Sequence, residues 1–294
     1  MKFEASAIAS YPAFARIAVF LLLLVLFWLP FAGPIYWFWF ERAPNTVSIL
    51  TLVILYGEFI FLLRIWGQRV HQQLRPLRSY GLVWNPQNGL DVLRGLTIGT
   101  TGVLVLFVLE ASLGWVVRQP MPSNLYKIVL EGLLSALAVG FAEELLFRGW
   151  LLDELERDYP PQVSLGIDSV LYAIAHFIKP IAEILRTWPQ FLGLVLLGLA
   201  LVWAKRSSRS ASALANGRGR LGLPMGLHSG LVWGYYIINV GQLFNSSHQV
   251  PEWITGIDRN PLAGVMGVAL LSIIALGLRR ACRLAASRND NLIR

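Results

Sequence analysis

The chain has 294 residues, 55% of them hydrophobic and only 14% charged, with 25 Lys and Arg against 17 Asp and Glu for a net charge of +8. Soluble domains carry about a quarter charged residues, whereas here several apolar runs of about 20 residues are long enough to cross a bilayer as helix. The runs are continuous, not alternating, which excludes a transmembrane β-barrel; in so apolar a chain the positive charge points to cytoplasmic loops, not to nucleic acid.

The expected fold is all-α: a polytopic membrane helical bundle of about eight transmembrane helices, forming one integral membrane domain over 1–294. The predicted spans are 17–40, 47–66, 95–117, 126–151, 168–186, 188–204, 221–243 and 261–280. The first contains Pro30 and Pro34 and is expected to kink or break. It is too long for a cleavable signal peptide and no A-x-A site follows it. Residues 67–92 read as a basic cytoplasmic stretch in which RPLRSYGLVW is interfacial. The fifth span is the least apolar: Lys179, Pro180, Glu183 and Arg186 make its second half amphipathic, so it is expected at the interface or shielded by protein. The loop 205–220, KRSSRSASALANGRGR, reads as a mobile linker suited to anionic headgroups. The single cysteine, Cys282, excludes an intrachain disulfide and reads as a small apolar filler.

Charge tests this count. With eight spans both termini share one side, and 19 of the 25 Lys and Arg fall there, against six on the other: Arg42, Arg118, Lys127, Lys179, Arg186 and Arg259. The positive-inside rule then puts both termini in the cytoplasm.

Three spans carry ionisable groups that are expensive in lipid. FAEELLFRGW supplies Glu143, Glu144 and Arg148; LYAIAHF supplies His176; GLHSGLVWGYYIINVGQ supplies His228. Taking Asp168 as the cap of the fifth span, Glu143, Glu144, His176 and His228 all fall about 10–12 Å inside the cytoplasmic face, at 1.5 Å per residue. Two carboxylates and two imidazoles at one depth can make a hydrolytic site. A carboxylate takes a proton from water, and a histidine orients that water or stabilises an oxyanion. Two histidines and one glutamate are also a zinc set, with water as fourth ligand.

Each residue also has a plainer reading. Glu144 and Arg148 are four apart and suit a local ion pair, and a lone buried histidine is often a packing residue. Tyr235 and Asn239 continue the stripe of His228 along one face; they line a substrate groove or bond between helices. His71 and His248 sit in loops and are expected to have no partners. Buried Glu and His pairs also serve cation-coupled transport, but no inverted repeat supports that reading.

These residues carry a resemblance. EELLFR, residues 143–148, resembles the E-E-x-x-x-R motif of the CPBP intramembrane proteases, which include the CAAX prenyl endopeptidases of the Rce1 type and bacterial Abi-type proteins. Tyr172 and His176 resemble the second motif, F-x-x-x-H, with Tyr for Phe. His228 is similar to the histidine of the third, H-x-x-x-N, whose last position is Val232 here. The resemblance covers about 126–245, a CPBP-like catalytic core. It implies endoproteolysis of membrane-associated, including CAAX prenylated, proteins in a bacterial plasma membrane or a eukaryotic endomembrane. Glu143 would activate water with help from His176, His228 would stabilise the oxyanion, and Glu144 and Arg148 would shape the site. A metal, if used, would be zinc on Glu143, His176 and His228; a metal-free glutamate mechanism fits equally. Val232 leaves open a second expectation, a catalytically weak homologue that binds and stabilises membrane proteins.

Overall fold

The structure is a computed structural model and describes residues 5–208 and 219–293, with side chains to residue 287. Most of the basic linker, 209–218, and the end of the C-terminal tail lie outside the described residues. Eight helices make the bundle: α1 (Ala13–Trp39), α2 (Pro44–Arg69), α3 (Pro86–Ser112), α4 (Leu125–Asp158), α5 (Pro161–Ala175), α6 (Gln190–Ser207), α7 (Gly222–Val240) and α8 (Val265–Ile293). Six of them, α1 to α4, α6 and α8, are long and apolar enough to cross a membrane. The protein is therefore an all-α, multi-pass membrane bundle. Eight crossings are not established, because α5 has only 15 residues and the polar, glycine-rich α7 has 19.

Several expectations need correction. Helix α1 runs unbroken through Pro30 and Pro34. The predicted span 168–186 is not one helix: α5 starts at Pro161, whose missing N–H suits a first helical turn, and ends at Ala175. A separate short helix, Ile181–Thr187, follows Pro180. Asp168 is thus no cap but lies mid-helix and fully buried. The third predicted span leaves the helix at Ser112, and Val116–Arg118 (β1) pairs antiparallel with Phe244–Ser246 (β2), tying the ends of α3 and α7 together.

Glycine spacing explains why α7 is central. Gly222, Gly226, Gly230 and Gly234 recur every fourth residue and so form one helix face. A Cβ at Gly226 would lie 2.0 Å from the Val92 carbonyl oxygen, and one at Gly230 2.3 Å from that of Leu96. From the other side, Cβ atoms at Gly95 and Gly99 would meet Leu223 and Leu227 backbone at 2.4 and 2.5 Å. Backbones meet directly, as in the small-residue contacts that drive association in membranes. A second seam joins α4 to α7, where Gly140 faces Ser229 and Gly132 faces Tyr236. His228 is two residues from Gly226 and Gly230, about 200° around the helix, and therefore points away from α3.

The lower part of the bundle is closed by a buried polar cluster. Arg16 of α1 donates to Glu154 at 2.8 Å and to Asp158 at 3.0 Å. Trp66 and His71 reach the other Glu154 oxygen at 2.9 and 2.6 Å. His71, expected to be idle, thus anchors α2 to α4.

Glycine contacts give a sharp contrast. Gly226→Ala should destabilise the protein by roughly 1–3 kcal/mol through overpacking. Gly57→Ala, with nothing within 4 Å of its Cβ, should stabilise by about 0.5–1 kcal/mol. Thermal unfolding of both variants in detergent micelles checks this.

Candidate active site

The site begins where α4 changes its winding. Glu143 and Glu144 close a regular α-helical stretch, and Leu145–Leu151 continues as π-helix, a rare form that often marks functional positions. Glu144, just before that region, and Arg148, inside it, are both fully buried. Arg148 donates to Glu144 at 3.2 Å, as the four-residue spacing predicts. It does more: its Nε lies 3.6 Å from Asp168 of α5, one terminal nitrogen donates to the Gly198 carbonyl of α6 at 3.4 Å, and its guanidinium stacks 4.2 Å from the Tyr172 ring. Lys205 Nζ donates to the Arg148 carbonyl at 2.5 Å. One cation therefore sits between two carboxylates and joins three helices.

The histidines are oriented by their second nitrogens. His228 Nδ1 lies 2.9 Å from Glu144 Oε1; His176 Nδ1 lies 2.8 Å from the Tyr172 carbonyl oxygen. Carbonyl and carboxylate oxygens only accept, so both Nδ1 atoms carry the proton that donates. Both Nε2 atoms turn to Glu143: Oε2 is 3.7 Å from that of His176 and 3.9 Å from that of His228. These separations are too long for direct hydrogen bonds and suit a shared water. Glu143 Oε2 has no hydrogen-bond partner. Burial is graded across the site: the His176 and Glu143 side chains are 32% and 24% exposed, that of His228 only 4%.

A cavity of about 170 Å³ reaches both imidazoles. Leucine is its commonest lining residue, beside Tyr172, Val232 and Tyr235, with Asn260, Pro261 and Leu262 from the stretch before α8. Glu143, Glu144, Arg148, His176 and His228 thus converge, and Tyr235 joins them through the cavity. Asn239, one turn further, does not line it. Val232 does, where the resembled motif has Asn.

Residues 125–234 match the family model described as type II CAAX prenyl endopeptidase Rce1-like. That segment is similar to the Rce1-like family. It contains all five polar residues of the site, from Glu143 to His228. Comparison with curated proteins and with solved structures returned no match. The model's description is that of an endopeptidase, an enzyme that hydrolyses peptide bonds.

Sequence reasoning missed Asp168 as a partner of Arg148, though its spacing with Tyr172 and His176, four and eight residues on, marks one helix face. It also missed Lys205 and the Gly198 carbonyl, which no local pattern reveals. Among the described residues no group of three His, Cys, Asp or Glu side chains is already drawn together to hold a metal ion.

Arg148→Met should remove the guanidinium that Glu144 and Asp168 share and cost about 3–5 kcal/mol. Tyr172→Phe keeps the ring over Arg148 and should cost less than about 1 kcal/mol. Melting temperatures in micelles separate the two.

Proposed function

We propose that the protein is an intramembrane endopeptidase that hydrolyses peptide bonds of membrane-associated proteins. The unpartnered Glu143 oxygen facing two imidazole Nε2 atoms carries this reading. A water between Glu143 and His176 donates to both. As its oxygen attacks the carbonyl carbon, Glu143 takes its proton. The carbonyl oxygen becomes an oxyanion beside His228, which in its protonated form donates from Nε2; Glu144, on Nδ1, balances that charge. The C–N bond then breaks, and Glu143 returns the proton to the departing amine. Arg148 is a positioning residue, since it acts through Glu144.

A CAAX prenylated tail is the substrate class that the family description suggests; an unmodified membrane peptide is the counterpart in a cell without prenylation. The positive-inside pattern supports cytoplasmic termini. The donor chemistry of Glu143, His176 and His228 suits zinc, and bound zinc would lower the pKa of its water to about 7. The mechanism above needs only the chain's own groups.

A second reading, a catalytically weak homologue that binds membrane partners, rests on Val232. It lines the cavity where the resembled motif supplies a polar amide.

The test compares membranes from cells expressing the wild type and Glu143→Gln, with new protein termini read by mass spectrometry. Wild-type termini should fall by about 10²–10⁴-fold in Glu143→Gln. If expression is equal, no terminus differs and the variant still complements a deletion, the binding reading stands and the protease reading is overturned. Metal content of the purified protein, before and after His228→Ala, decides zinc: a stoichiometric metal lost in the variant assigns it.

A further inference from the structure

A cavity of about 610 Å³ lies elsewhere, where α3 ends against the β-ribbon and the loop before α8. Glu110, in the last turn of α3, lines it. That side chain is fully buried, and neither carboxylate oxygen has a hydrogen-bond partner. A buried acceptor without a donor costs several kcal/mol when ionised, so an unfilled demand for a donor faces this space. The walls beside Glu110 are aromatic: the Phe107 and Phe244 rings are 5.8 Å apart. Two more carboxylates, Glu252 and Asp258, stand at the rim. The one guanidinium in the lining, Arg259, is engaged by Gln242 and Asn245 at 3.1 and 3.4 Å, and Asp258 is paired with Arg186. His248 completes the charged and titratable lining.

We propose that this cavity binds a primary ammonium group on an apolar stem, with Glu110 as its anion and Phe107 and Phe244 as its walls. An ammonium supplies the donors that Glu110 lacks, and aromatic faces attract cations. A bare metal ion fits less well. The volume is that of an organic ligand site, and no group of three His, Cys, Asp or Glu side chains among the described residues is drawn together for a metal. Phe107 and Phe244 line this cavity, Val103 and Tyr235 line the catalytic pocket, and all four pack in one apolar cluster.

The ammonium comes from a soluble amine or from a lipid headgroup, and the experiment separates them. The full chain in phosphatidylcholine nanodiscs is titrated with n-pentylamine, using n-pentanol as the neutral control, and thermal unfolding is followed. The same protein is then placed in nanodiscs containing phosphatidylethanolamine. Saturable stabilisation by pentylamine but not pentanol, weakened about tenfold or more in Glu110→Gln, supports a soluble amine. Stabilisation only by phosphatidylethanolamine, lost in Glu110→Gln, supports the headgroup. Phe107→Leu should also weaken binding, and it serves if Glu110→Gln does not fold. No stabilisation from either source, or an undiminished effect in both variants, overturns the proposal.

Discussion

Arg148 is the charge on which the core depends. A membrane bundle tolerates buried carboxylates only when they are paired or wet. Glu144 and Asp168 are fully buried, and Arg148 lies against both. Its flat guanidinium can serve two carboxylates, a backbone carbonyl and an aromatic face together, which a lysine ammonium cannot. Because these partners come from α4, α5 and α6, charge compensation and helix packing are one constraint.

The reactive face follows from that anchor. Glu144 uses one oxygen for both Arg148 and His228. Holding Glu144 therefore fixes the His228 ring, and the ring fixes the direction of Nε2. Glu143, the adjacent residue, points to a different side of α4 and is left free. Two neighbouring glutamates thus differ in setting: Glu144 is fully buried and held by Arg148 and His228, whereas Glu143 is 24% exposed. The glycine face of α7 acts from behind. By letting α3 and α7 backbones touch, it turns His228 toward α4 and not toward lipid.

Much of the site was legible in local spacing. EELLFR announces an ion pair four residues apart, and the pair forms. Two histidines on separate apolar runs announce a shared buried function, and both meet Glu143. Both helix boundaries behind the depth argument moved. α4 extends to Asp158, beyond its predicted end, and α5 starts at Pro161, before its predicted start. Glu143 lies 15 residues before the first boundary and His176 15 residues after the second, so the two remained level. His71 shows the opposite failure. Its loop gave no sign of a partner, because Glu154 is 83 positions away in the chain.

The sequence by itself determined the membrane class, the helical architecture and the identity of the polar residues that cannot face lipid. These depend on composition and short periodicities, which the chain carries locally. Only the tertiary structure decided that α5 stops at Ala175, that Asp168 belongs to Arg148, and that Glu144 rather than Glu143 takes the direct hydrogen bonds. It also decided that Glu110 faces a cavity without a donor. Each of those outcomes depends on which distant groups fill the remaining hydrogen-bonding and packing positions. That is set by the relative placement of whole helices, which no short stretch of sequence records.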